Sequence, residues 1–190
     1  MGGAPSGLVG QLVDRLKTIY PNTEYSGEMS FVDSAYIKND KKGNDRYWWS
    51  KLYPHMIKTT DTRNGITLVI INAEVCNWDK KNKGSHANLG ISSLGGHVSF
   101  VSYQRLRKNR RDNINDMLKI AIHELGHSVG GLVAERKDLR CHCPDMNCLM
   151  RDANNGYPYG NITSFCEKCD NVMRSKGFEI TTNSRQMKTK

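Results

Sequence analysis

The sequence is poor in the features that mark several large classes of protein. No run of about eighteen apolar residues occurs in its 190 positions, so nothing reads as a membrane-spanning helix. There is no internal repeat, which sets aside solenoids and propellers. Aromatic residues make up only 8%, and none is interleaved with the basic run Arg105-Leu-Arg-Lys-Asn-Arg-Arg111, where base stacking would need them. A secretory leader is not recognisable: Met1-Gly-Gly-Ala-Pro-Ser6 has no basic stretch, and Leu8 to Tyr20 is broken by Asp14, Arg15 and Lys17. Acidic residues are in the minority, 19 against 28 basic ones, for a net charge of +9. Much of the excess lies in that basic run and in the tail Arg185 to Lys190. We read both as solvated segments rather than a nucleic-acid surface.

What is present is more specific. Ile114, Met117, Leu118, Ala121, Ile122, Leu125 and Val129 recur at three- and four-residue steps. This predicts one buried stripe on a helix from about Asp112 to Gly130. The helix carries His123-Glu-Leu-Gly-His127. Residues 123 and 127 are one turn apart on one face, so both imidazoles can reach a single ion. Glu124 lies beside them, where a carboxylate can take a proton from a metal-bound water. Gly130-Gly131 then lets the chain turn away.

A catalytic zinc needs a third protein ligand and one open position. The position where the extended form of this motif has its third histidine holds Val133, which binds no metal. The next histidine is His142, in Cys141-His142-Cys143-Pro-Asp-Met-Asn-Cys148-Leu-Met150, and Cys166-Glu-Lys-Cys169 follows. Glu135 and Asp138, in the charged stretch between, are the alternatives to His142. The six cysteines also include Cys76, read as a plain buried thiol at a strand end. An even number could pair as disulfides. The clustering of five of them and the lack of a leader favour metal in a reducing compartment.

These residues closely resemble the archaemetzincin family of zinc metallopeptidases, within the metzincin clan. The likeness spans about Leu68 to Gly177 and includes Gly95 to Tyr103 and Arg105-Leu-Arg107 before the motif helix. One departure is the eleven-residue segment Gly131 to Cys141, much longer than the family's. Exposed loops lengthen at small cost in closure entropy, so the third-ligand role is carried to His142. The resemblance implies two zinc ions per chain, one catalytic on His123, His127 and His142, one structural on Cys143, Cys148, Cys166 and Cys169. Four thiolates leave no room for water, which suits a structural role. Cys141 competes with Cys143 for that site. Met150 would form a hydrophobic floor beneath the histidines, or serve as an ordinary core methionine.

The expected fold class is α/β (α+β), a metzincin-like catalytic domain with a mixed twisted sheet, helices on one side and a small zinc-stapled C-terminal part. Residues 1–190 would form a single domain: 1–130 with the active-site helix, 131–178 with the cysteine site, and a flexible tail over 179–190. Helices are expected over Leu8–Tyr20, with Leu8, Leu12, Val13, Leu16 and Ile19 inward, and over Asp45–Lys58, with Trp48, Leu52 and Ile57 inward although Pro54 disturbs it. A last helix should start at the capping box Ser164/Glu167 and run to Ser175. Strands are expected near Met29–Val32, over Gly65–Val75 as one run buried on both faces, and over Ala87–Ser93 and His97–Tyr103. A polar loop should span Trp78–Gly84. By the resemblance, the strand Ala87–Ser93 would form the edge against which an extended substrate pairs.

The function expected is a cytoplasmic, zinc-dependent endo- or aminopeptidase acting on a peptide or protein substrate, with Glu124 as general base and no membrane partner. The alternative is a catalytically inactive, zinc-stabilised binding or adaptor protein, with its basic run as the surface that would contact nucleic acid. Met1-Gly2 with Ser6 and the sequon Asn161-Ile-Thr163 match short modification patterns that carry little weight.

Overall fold

The computed structural model describes residues 4–28, 36–38, 45–60, 65–79, 84–108, 113–129, 142–151, 162 and 164–176. Along the chain run α1 (Ser6–Ile19), β1 (Tyr36–Lys38), β2 (Asp45–Trp48), α2 (Trp49–Thr59), β3 (Thr67–Ile71) and β4 (Glu74–Asp79). Then come β5 (Gly84–Asn88), β6 (Gly90–Ser92), β7 (Val98–Ser102), α3 (Tyr103–Lys108), α4 (Ile114–Val129) and α5 (Glu167–Ser175). Two small mixed sheets replace the single expected one. The first has the order β1-β2-β4-β5, the second β3-β7-β6. In the second, β3 runs parallel to β7 with Val69 opposite Phe100, and β6 runs antiparallel with Ile91 opposite Phe100. β6 is therefore an edge.

The sheets separate because two expected strands break in the middle. The run Gly65–Val75 divides at Asn72-Ala73, and Ala87–Ser93 divides at Leu89. Each half joins a different sheet. Val69 and Ile71 of β3 are buried in one core cluster, while Leu68 and Ile70, half-buried, pack against the other, so apolar neighbours line both faces as expected. Neither break carries a proline. Both are fixed from the far end of β7, where the Ser102 hydroxyl donates to Ala73 O at 2.6 Å and the Ser102 amide to Leu89 O at 2.8 Å. The same hydroxyl accepts from the Arg105 amide at 3.1 Å, the geometry of a helix N-cap. The chain thus leaves β7 directly into α3 at Tyr103, where a continued strand and then a solvated loop were expected.

Other boundaries also move. Asp45–Trp48 is strand, and α2 starts at Trp49, with Leu52 and Met56 buried and Pro54 inside the helix. Trp78 and Asp79 end β4 rather than opening a loop. α1 buries Leu12, Leu16 and Ile19, while Leu8 and Val13 are only half-buried. α5 starts three residues after Ser164, with Cys166 as N-cap and no side-chain cap bond. Ser164 instead offers its carbonyl to the Leu149 amide at 3.0 Å. Residues Met29–Val32, the Gly130–Cys141 segment, the sequon ends and the tail after Lys176 lie outside the described residues. Among those described, no helix is long and apolar enough to cross a membrane.

α4 is buried continuously from Met117 to Ser128. A single stripe would not achieve that. β6 and β7 cover one side, α1 and α3 others, and residues 142–151 close the rest through Leu149 and Met150. Asn113 caps its start, accepting from the Asp116 amide at 2.9 Å and donating back to the Asp116 carboxylate at 2.9 Å.

One buried charge ties these layers together. Glu74, at the start of β4, has 2% of its surface exposed. Its carboxylate accepts from Arg46 Nε on β2 at 2.8 Å and from Lys108 Nζ on α3 at 2.9 Å, with Arg105 3.9 Å away. Two cations of the basic run are therefore engaged internally. Burial alone would raise the Glu74 pKa, but Lys108 and then Arg46 outweigh it and hold the carboxyl below its ordinary value. Replacing Glu74 with Gln should cost at most about 3–5 kcal/mol, the range for a broken buried ion pair, because Arg46 and Lys108 are partly exposed. Because the folded pKa is lowered, the parent's advantage should be complete near neutrality. It should shrink as pH falls through the ordinary carboxylate value toward the lower folded one. Denaturant melts of both proteins across that range check this, and a pH-independent difference would contradict it.

Candidate metal centres

The motif histidines sit two-thirds of the way along α4 and at its end, in a helix whose surroundings exclude water. His123 and His127 are 4% and 7% exposed. The His123 Nδ1 lies 2.7 Å from Leu149 O. A carbonyl only accepts, so Nδ1 carries the proton and Nε2 keeps its lone pair. That Nε2 faces Nε2 of His127 at 3.0 Å. His142, at the start of the 142–151 segment, brings its ring to 5.2 Å from that of His123 and 5.0 Å from that of His127. One ligand nitrogen from each of the three lies within 4.8 Å of the others.

This donor set suits zinc. Nitrogens at about 2.0–2.1 Å from a tetrahedral ion stand about 3.3 Å apart, close to the 3.0 Å between His123 and His127. Burial first, then the neighbouring His123 and His142, push the His127 pKa down to about 2. Its imidazole is thus neutral at any ordinary pH, as a ligand must be. Its Nδ1 is buried without a hydrogen-bond partner among the described residues.

Glu124 is 5% exposed, and its carboxylate accepts from the Ser92 hydroxyl at 2.7 Å. Burial raises its pKa, against the Ser92 bond, to about 8. The carboxylate fits there because residue 90 is glycine: a Cβ on Gly90 would stand 2.5 Å from Glu124 Cγ and Oε1. Gly126 does the same for the floor. A Cβ there would stand 2.5 Å from Met150 Sδ, and Met150 is fully buried against α4.

The second cluster forms where the 142–151 segment meets α5. The segment folds on itself: the Cys143 amide donates to Met150 O at 2.6 Å, and Asp145 turns the chain by accepting from the Asn147 amide at 2.8 Å. Cys143 and Cys148 then face Cys166 and Cys169, with all four sulfurs within 4.8 Å. Cys143 and Cys166 are 3.6 Å apart. That is too far for a disulfide, which needs about 2.05 Å, and near the roughly 3.8 Å set by zinc–sulfur bonds of about 2.3 Å. The Cys148 sulfur accepts from the Met150 and Cys166 amides at 3.4 and 3.3 Å. Cys169 and these amides hold its pKa down to about 5 despite burial, while Cys169, donating to it, is pushed up. Cys76 is buried within β4 and is not one of the four clustered thiols, and Cys141 lies outside the described residues.

The overall shape has solved counterparts. Archaemetzincin from Methanopyrus kandleri superposes with a TM-score of 0.62 at 18% identity, over 90% of this chain and 86% of that one. Archaemetzincin from Archaeoglobus fulgidus, complexed with malonate, gives 0.61 at 21% identity, over 88% and 93%. The chain has the archaemetzincin fold. A zinc-dependent peptidase from Methanocorpusculum labreanum gives 0.56 at 15% identity, over 89% and 94%. No protein-family model matches the sequence, and no curated protein does.

Of the residues singled out from the sequence, the structure gathers His123, His127 and His142 in one group and the four cysteines in another. Glu135 and Asp138 are outside the described residues. Sequence reasoning missed Ser92, Gly90 and the carbonyl of Leu149. The signal for the first two is a pair of small residues at alternate positions, 90 and 92, around the apolar Ile91. Leu149 O, a main-chain atom, leaves no trace in composition. Introducing a methyl at Gly126 (Gly126→Ala) should cost about 1–3 kcal/mol through overpacking and weaken metal retention, read by thermal melting and metal analysis. Unchanged values for both would show that Met150 yields freely.

Proposed function

We propose that this protein is a zinc-dependent peptidase that hydrolyses peptide bonds in a peptide or protein substrate. The observation that carries the reading is the convergence of His142, from beyond a long intervening segment, on the two helical histidines next to a buried Glu124. The zinc peptidases that share the fold support it. His123, His127 and His142 would hold the catalytic ion, and Cys143, Cys148, Cys166 and Cys169 a structural one. Zinc so held would supply Lewis acidity, polarising a carbonyl and making a water acidic near neutral pH.

The chain's own groups account for the remaining steps. The Leu149 carbonyl fixes the His123 ring in the tautomer that points Nε2 at the site. Glu124 would accept the proton of the attacking water and pass it to the departing amine. Its burial removes competing water. β6, an edge strand beside Glu124, is where an extended substrate would add its main-chain hydrogen bonds. Reduced cysteines acting as ligands fit a reducing, cytoplasmic setting. Residues 1–130 and 131–178 would work as one unit, because the second supplies His142 to the first.

Glu124→Gln should keep both metals and lower peptide turnover by about 10²–10⁴-fold, the usual share of a general base. Metal analysis and cleavage of a fluorogenic peptide library measure the two quantities. Equal cleavage by the variant would remove Glu124 from the chemistry. A single metal per chain, with no cleavage by the parent, would point to an adaptor instead.

A further inference from the structure

We infer that Ser92 is a positioning residue for Glu124, holding the base at two points from the edge strand; this rests on the peptidase reading. The Ser92 hydroxyl is 2.7 Å from Glu124 Oε2 and 2.9 Å from Glu124 O. One side chain thus reaches the head group and the main chain of the same residue, which sets the direction of the carboxylate relative to α4. Both atoms are acceptors and the hydroxyl has one proton, so it serves them in alternation without changing place.

Ser92 is itself held. Ser99, fully buried on the neighbouring β7, lies 3.0 Å from the Ser92 hydroxyl and 3.2 Å from Glu124 O. Ser99 is in turn 2.7 Å from Ser128 on the last turn of α4. Three hydroxyls therefore link β6 and β7 to α4 around Glu124 O. Two residues earlier on the same face of β6, Gly90 has no Cβ, and the Glu124 carboxylate occupies the space that one would fill. The core on the other face of β6 needs only Ile91. Ser92 points away from that core, so packing gives no reason for a hydroxyl there, and the contact with the base does. A base displaced by about 1 Å loses on the order of 10²-fold in rate.

The test compares Ser92→Ala and Ser92→Thr in the full, metal-loaded chain. Ser92→Ala should lower kcat by about 10- to 100-fold with KM within about twofold, while metal content stays equal to the parent. Ser92→Thr, which keeps the hydroxyl on a strand, should restore most of kcat. In the Glu124→Gln background Ser92→Ala should have no further effect, because the two act as a unit. A crystal structure of Ser92→Ala should show the Glu124 carboxylate shifted or split by more than about 0.5 Å, the tolerance of a working site. Turnover of Ser92→Ala within twofold of the parent, or an unmoved carboxylate, would overturn the assignment. So would Thr failing as badly as Ala with metal retained. If the parent cleaves no peptide, the peptidase reading fails separately, and the carboxylate position still decides the role of Ser92.

Discussion

Contact between the segment 142–151 and the end of α4 is the constraint on which the rest of the structure depends. Three neighbouring groups of that segment meet the helix in different ways. His142 adds its imidazole to the helical pair, Leu149 O accepts a hydrogen bond from His123 Nδ1, and the Met150 thioether fills the space left open by Gly126. None of these works if the segment moves by an ångström, because the interior it enters is close-packed. What keeps it still is the cysteine cluster, whose members Cys143 and Cys148 bracket the turn and face Cys166 and Cys169 on α5. The thiol cluster and the imidazole cluster are consequently two ends of one short piece of chain.

The other side of α4 is governed by hydroxyls and small residues. Ser92 and Ser99 reach the carbonyl of Glu124, and Gly90 gives the carboxylate its space. Ser102 does comparable work further along β7, fixing two bends and starting α3. In both places a hydroxyl serves as a joint between elements distant in sequence. Each such joint satisfies buried main-chain groups that would otherwise be costly. Glu74 plays the same part with charge, joining β2, β4 and α3 through Arg46 and Lys108.

The departures from the sequence reading share a physical origin. The run Thr67 to Val75 loses strand propensity at Asn72-Ala73-Glu74, which marks a weak point without saying where the two halves go. The bend comes from Ser102, about thirty positions on. The stretch around Tyr103–Lys108 is basic and looks solvated, yet its helix is set by the Ser102 cap and by a carboxylate on β4. Likewise, Ser164 with Glu167 has the spacing of a capping box, but the N-cap of α5 is Cys166, where the sulfur cluster holds the chain. Local patterns fail where a partner far along the chain decides the geometry.

The sequence by itself determined the motif helix, the identities of the three imidazoles and four thiols, and the class of chemistry they allow. Those depend on residue type and short spacing, which helical periodicity and ligand chemistry translate directly. Only the tertiary structure decided that His142 reaches the helical pair, because an eleven-residue intervening segment leaves its endpoint free. Tertiary structure also decided the division into two sheets, the internal use of Arg105 and Lys108, and the hydroxyl cradle around Glu124. Each of those is a contact between residues with no periodic relation, selected by hydrogen bonds, ion pairs and packing that exist only in the folded chain.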